Sequence, residues 1–261
     1  MNTKLAIIGS GRVAEVLLRQ FCKKIAPSNI VIIARNHEKV QLLSKKYSVR
    51  YYDTFEIEQE DFDYIIIAVK DQRITEVSDK IAVFSKNAIV CHTSGCVHID
   101  AISDKINNKG VFYPLQSITD SVEFDFSEVP VFVESKSDEN DTKLKELASL
   151  ITNNVSYANS ETREKLHLCA VFANNFTNHI FTLVNDIIKQ EGVNPNMLQP
   201  LIKATFDRIL DSNPKIIQTG PARRADKSTI NRHLNLLKDE TTKDVYKSIT
   251  NSILNQYKDE L

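Results

Sequence analysis

Gly9-Ser10-Gly11-Arg12-Val13-Ala14 follows directly on the apolar run Leu5-Ala6-Ile7-Ile8. A G-x-G-x-x-A turn between a strand and a helix suits one kind of chemistry, the holding of a pyrophosphate. Gly9 permits the tight turn, and Gly11 removes the side chain that would keep an anion off the backbone. Small Ala14 lets the helix pack close to the sheet, while the first helical N–H groups, lacking partners, face the anion. Ser10, Arg12 and Val13 complete the turn. The plainer alternative is a glycine turn with no ligand. The preceding strand, the helical pattern after it and a second strand at the right distance favour a dinucleotide.

That second strand, Asn29 to Ala34, ends at Arg35-Asn36-His37. An Asp or Glu at this point would accept hydrogen bonds from a ribose 2′-OH. Arg35 instead offers a planar cation suited to a 2′-phosphate, with Asn36 as a neutral partner. The reading is NADP(H) over NAD(H); a solvated surface arginine is the alternative.

Three further strand ends carry polar residues, where open parallel sheets bind ligands. Val69-Lys70-Asp71 is placed to line the adenosine side, although Asp71 also suits a helix cap. His92-Thr93-Ser94-Gly95 is placed to hold a nicotinamide carboxamide or substrate, unless its hydroxyls simply cap a turn. Tyr113-Pro114-Leu115-Gln116 is placed to form a cleft wall.

Further on, His167, Asn174 and Asn178 fall at i, i+7 and i+11 and share one face of a long helix, with Asn175 beside it. A histidine and amides on an apolar helix can supply a general acid and orient a carbonyl. Equally, they can be a buried set satisfied by backbone groups. Phe172, Phe176, Ile180 and Leu183 read as core or dimer packing. In the loop Gly220 to Asp226, Arg224 is free to reach an anionic group or to bridge Asp226, itself a natural N-cap.

The elements that must position these residues alternate up to about residue 157. Strands are predicted at 4–8, 29–34, 49–52, 63–69, 88–92, 109–113, 129–134 and 154–157. Helices are predicted at 12–25, 37–46, 71–84, 97–107 and 140–152. This rhythm indicates parallel βαβ units in a doubly wound Rossmann sheet, an α/β domain over 1–157. From Ser160 the β signal ends and helical periodicity covers 160–191, 195–211 and 226–256, giving an all-helical domain over 158–261. No internal repeat is present.

Composition sets the outer bounds. The 261 residues carry a net charge of −1, so no basic field argues for nucleic acid or an anionic membrane. No apolar stretch nears the roughly 20 residues of a membrane span. The first strand begins too early for a signal peptide, so a cytoplasmic location is expected and the terminal Lys-Asp-Glu-Leu is read as coincidence. Cys22, Cys91, Cys96 and Cys169 lie in apolar segments without C-x-x-C spacing. They read as reduced, buried thiols, with no metal site.

Over nearly its whole length the chain resembles the Rossmann-like NADP oxidoreductases whose C-terminal helical half is a domain of unknown function. These are distant relatives of pyrroline-5-carboxylate reductases, 3-hydroxyacid dehydrogenases and deazaflavin-dependent NADP reductases. The resemblance runs through Ile7–Ala14, Ile67–Asp71, His92–Gly95, Pro114–Gln116, His167–Asn175 and Gly220–Asp226. It implies that Gly9, Ser10, Gly11, Arg12 and Val13 hold the pyrophosphate and Arg35 the 2′-phosphate. Val69, Asp71, Thr93 and Ser94 would line the rest of the trough, and His167, Arg224 and Asp226 match the family's helix head and loop. Three positions depart: Lys70 stands for the usual proline, Tyr113 for a histidine, and Val171 for the dehydrogenases' lysine.

The expected activity is hydride transfer between NADP(H) and a small carbonyl or imine bound between the domains. His167 is the proton donor, Asn174 or Asn178 orients the substrate, and Arg224 meets an anionic group. A homodimer is expected from the aromatic stripes of the long helix. The alternative is an NADP-binding module or redox sensor without catalysis, favoured by the missing lysine.

Overall fold

A computed structural model describes residues 3–55, 57, 60–119 and 124–260. It divides into two compact units, Met1–Asn174 and Asn175–Leu261. The first unit thus runs on past the last strand and takes in the helix that begins at Ser160.

The first unit is built on an open eight-stranded sheet. Its strands are β1 (Leu5–Ile8), β2 (Ile30–Ile33), β3 (Arg50–Tyr52), β4 (Tyr64–Ile67), β5 (Ile89–His92), β6 (Lys109–Pro114), β7 (Val131–Ser135) and β8 (Val155–Tyr157). They lie in the order β3-β2-β1-β4-β5-β6-β7-β8. Helices α1 (Arg12–Phe21), α2 (His37–Tyr47), α3 (Ile74–Ser85), α4 (Asp138–Ser149) and α5 (Ser160–Ala170) accompany it. All eight predicted strands are present. Strands β1, β2, β4 and β5 are buried almost throughout, since helices cover a parallel sheet on both faces. Period 2 then sorts the side chains: Leu5 and Ile7 enter the core that includes Leu17, Phe21 and Phe112. Ala6 and Ile8 enter the opposite one, with Ile74, Val77 and Ile81. Each such fully buried Leu or Ile contributes about 1.5–3 kcal/mol.

Two expectations fail here. Strand β7 runs antiparallel to β6; among the described residues between them only a 3-10 turn, Phe126–Glu128, occurs, and no α-helix to carry a parallel crossover. The helix predicted over 97–107 is a single 3-10 turn, Ile99–Ala101, followed by irregular chain. Its apolar residues are buried as the period implied, Ile99, Ile102 and Ile106 being at most 3% exposed. Its backbone groups, however, bond to other elements. Ser160 Oγ accepts from the Ile99 N–H, Ser78 Oγ accepts from the Ser103 N–H, and the Val97 carbonyl accepts from Arg163. Tertiary partners thus replace the i→i−4 ladder.

The second unit contains α6 (Thr177–Gln190), α7 (Gln199–Asp211), α8 (Pro214–Ile217), α9 (Lys227–Leu236) and α10 (Glu240–Gln256). Helix α6 is followed by Gly192, whose φ of +65° suits the left-handed position that glycine tolerates after a helix. Asp226 caps α9 as expected, accepting from the Thr229 N–H at 3.0 Å. Phe181 meets Phe206 at 6.0 Å, and the Tyr257 hydroxyl donates to the Lys215 carbonyl at 2.6 Å. Among the described residues of α6, α7, α8 and α9, none is buried. Among the described residues, no helix is long and apolar enough to cross a membrane.

Candidate functional site

Strand order reverses at β1, which lies between β2 and β4, and the crevice beyond its C-terminal end is where such sheets bind ligands. Gly9 fills that point. Its N–H donates to the Ile33 carbonyl at 2.8 Å, and its φ is +126°. A Cβ there would stand 2.2 Å from the Ala68 carbonyl oxygen and 3.5 Å from Val69 Cγ1. Gly9 is therefore required both by backbone conformation and by the close approach of β4. Gly11 is the reverse case: a Cβ there would meet nothing within 4 Å. It is the N-cap of α1 and, having no side chain, gives the helix start no side-chain cap. Ser10 and Val13 are half-buried and Arg12 is exposed. Turn, open cradle and helix end together fit a pyrophosphate.

Arg35 is exposed and its guanidinium has no partner among the described residues, which leaves it available to a 2′-phosphate. Asn36 has another task. Its Oδ1 accepts from the Lys39 N–H at 2.9 Å and caps α2. Asp71 makes no cap; it opens a 3-10 turn, and α3 begins behind Arg73 without side-chain capping. Asp71 lies close enough to Cys96 that, after burial, its charge is the next cause raising that thiol's pKa. The loops after β4 and β5 therefore adjoin.

Beyond β5, the hydroxyls are turn-formers. Ser94 Oγ accepts from the Cys96 and Val97 N–H groups at 3.2 and 3.1 Å, and Thr93 Oγ1 donates to the Ile67 carbonyl at 3.5 Å. His92 is wholly buried, its Nδ1 accepting from the Ser94 N–H. Burial first, and then the Arg163 charge, push it down to about 3, so it stays neutral.

The loop is fastened by residues that sequence reasoning missed. Arg163, 1% exposed, pairs with Glu134 of β7 and donates from Nε to the Ser94 carbonyl at 3.1 Å. Ser160 Oγ donates to Glu134 at 2.8 Å. The available clues were a glutamate inside an apolar strand and an arginine one turn before His167.

On this fastened loop rests a pair of side chains. Gly95 is packed so closely that a Cβ would stand 2.7 Å from His167 Nδ1 and 2.8 Å from Tyr113 Cζ. The Tyr113 hydroxyl and His167 Nδ1 are hydrogen-bonded at 3.0 Å, with the rings edge to face. Burial, with Cys96 as a lesser cause, pushes Tyr113 up to about 12. Tyr113, read from the sequence as part of a cleft wall and a departure from family pattern, is thus His167's partner.

Of the remaining amides and arginine, only Asn174 belongs to the same compact unit as that pair. Asn174 lies in a π-helical stretch, Val171–Phe176, and is exposed. A π turn takes one residue more than an α turn, rotating the downstream helix by about 100°, so spacing from His167 no longer marks a single face. Asn178 and Arg224 belong to the second unit, where neither is buried. The suggested Arg224–Asp226 bridge does not form, since Asp226 is taken by Thr229. Its neighbour Arg223 is structural, stacked 4.2 Å from the Tyr257 ring and paired with Glu260 at 2.6 Å. Of the cysteines only Cys91 is fully buried; Cys96 and Cys169 are exposed, because the irregular loop and the outer side of α5 carry them.

A reversed strand order with an open glycine turn at the switch point defines a dinucleotide-binding protein of the doubly wound class. Residues 4–94 match the family described as NADP oxidoreductase, coenzyme F420-dependent, and residues 129–253 match a domain of unknown function, DUF2520. A Bacteroides fragilis protein assigned as an NADP oxidoreductase is 31% identical, with 97% of this chain and 98% of that one covered and a TM-score of 0.87. An imine reductase from Myxococcus stipitatus, solved with NADP+, is 13% identical over 97% and 92% of the two chains, with a TM-score of 0.70. A pyrroline-5-carboxylate reductase from Coxiella burnetii is 14% identical over 99% and 98%, with a TM-score of 0.60. No curated protein matches the sequence. The chain belongs to the NADP oxidoreductase family that carries a DUF2520 domain at its C-terminal end, and its cofactor is NADP.

Proposed function

We propose that this NADP-dependent oxidoreductase acts on a small carbonyl or imine. Bound NADPH supplies the hydride. The substrate carbon accepts it, and the heteroatom takes a proton from His167. The observation that carries this reading is the place of His167: it stands over Gly95, beyond the C-terminal ends of β5 and β6, hydrogen-bonded to Tyr113. Asn174 and Asn178 are proposed to orient the substrate, and Arg224 to meet an anionic group on it. A second copy of the chain is proposed to cover the exposed apolar side chains of the helical unit, and a cytoplasmic location accords with the thiols being free.

The test is a screen of small keto acids, aldehydes and imines by loss of NADPH absorbance. Turnover is expected with at least one, and His167→Gln should lower kcat by about 10²- to 10⁴-fold. One observation favours a second reading, a cofactor-binding module without catalysis: the position of the related dehydrogenases' lysine is Val171, which has no proton to give. Tight NADPH binding with no turnover across the screen would establish that reading instead.

A further inference from the structure

We infer that Tyr113 is a positioning residue which sets the tautomer of His167, so that Nδ1 is held inward and Nε2 carries the ring hydrogen toward the chemistry. The role deepens the proton-donor reading above and rests on it; the tautomer itself does not.

The argument begins with the tyrosine hydroxyl. Tyr113 is 7% exposed, and His167 Nδ1 is the only hydrogen-bond partner of its hydroxyl among the described residues. A buried O–H needs an acceptor more urgently than a buried oxygen needs a second donor. If Nδ1 carried a hydrogen, the tyrosine hydrogen would point at no acceptor. With Nδ1 bare, the hydroxyl donates to it and the neutral ring must carry its hydrogen on Nε2. Burial supports the same arrangement, because a phenol pushed up to about 12 remains a donor throughout the neutral range. The charged and titratable groups acting on Tyr113 are Cys96 from the β5 loop and Arg163 from α5.

The other nitrogen is differently placed. Nε2 of His167 has no protein partner among the described residues, yet it is not among the atoms sealed from solvent. It is the open nitrogen of the ring. Gly95 makes this arrangement possible, since any side chain there would stand between the two rings. A tyrosine is particularly suited to the position, being able to donate to Nδ1 of the neutral ring and to accept from it when the ring is charged. Nε2 keeps its hydrogen in both states.

The test is long-range ¹H–¹⁵N correlation on protein labelled at its six histidines, recorded above the ordinary histidine titration range. His167 is assigned from the spectrum of His167→Gln. In the wild type, Nδ1 is expected at the position of an unprotonated ring nitrogen and Nε2 at that of a protonated one. Tyr113→Phe should shift this pattern toward a mixture of tautomers, and Gly95→Ala should do the same by parting the rings. A cooperative thermal melt, read by circular dichroism, shows that each variant is folded. A wild-type His167 hydrogen on Nδ1, or a pattern unmoved in folded Tyr113→Phe, overturns the inference. If the tautomer is as stated but His167→Gln keeps full turnover, the proton-donor reading alone falls.

Discussion

At Gly9 an added methyl would stand 2.2 Å from a backbone oxygen at a φ of +126°, whereas at Gly11 it would meet open space. Two glycines of one motif therefore answer different demands, one from the fold and one from the ligand. Gly9→Ala should lower stability by about 2 kcal/mol or more, through strain and overpacking that no flexible side chain can relieve. Gly11→Ala should melt as the wild type does while binding NADPH about tenfold more weakly or worse. Thermal unfolding beside fluorescence titration separates the two, and equal melting losses would contradict the assignment. Arg35 belongs to the same scale. A charge-assisted hydrogen bond is worth about 1.5–3 kcal/mol, so Arg35→Ser should weaken NADPH binding by roughly 10- to 100-fold and leave NADH unchanged. An equal loss for both cofactors would place Arg35 elsewhere.

Between elements, the buried Arg163–Glu134 pair joins α5, β7 and the β5 loop. Removing one partner strands the other charge, a cost of about 3–5 kcal/mol. Arg163→Met should therefore lower the urea midpoint sharply. Combining it with Glu134→Leu should recover part of the loss, since the pair's net worth is smaller than the cost of breaking it. A helix cap gives a pH signature. Asp226 is held below the ordinary carboxylate range, first by the Thr229 N–H and then by its hydroxyl. A depressed folded pKa means that the stabilisation is present above about pH 4 and is lost as pH falls through the folded value. Asp226→Asn keeps a capping oxygen without the titration, so its unfolding midpoint should depend less on pH in that acid window. An unchanged acid slope would remove Asp226 from the account.

At the scale of the whole molecule, the helical unit is short of interior. Helix α7 exposes Leu201 at 61%, Leu210 at 83% and Ile209 at 42%, and Met197 before it at 72%. Apolar surface of this extent supports the proposed pairing with a second copy, since exposed apolar patches often mark interaction sites and most soluble assemblies are symmetric pairs of identical subunits. Light scattering is expected to give the mass of two chains. Leu201→Glu with Leu210→Glu should reduce it to one, and a wild-type monomer would refute the pairing.

Local pattern alone carried the eight strands, the glycine turn, the capping residue Asp226, and Arg35 at a strand end without a carboxylate, whereas the cap that Asn36 forms was not read from it. Apolar periodicity and turn chemistry are properties of neighbouring residues, so they are legible without a fold. The antiparallel β7 and the missing helix after β5 were not. There, backbone groups bond to Arg163, Ser160 and Ser78, which lie 25 to 66 residues away in the chain. The π stretch at Val171–Phe176 likewise overrode a face drawn from α-helical spacing. Folding was needed to bring Tyr113 and His167, 54 residues apart, into one hydrogen bond over a glycine too crowded to be anything else. A side chain's partner is set by where the sheet and its loops bring distant segments together, and that placement follows from packing rather than spacing.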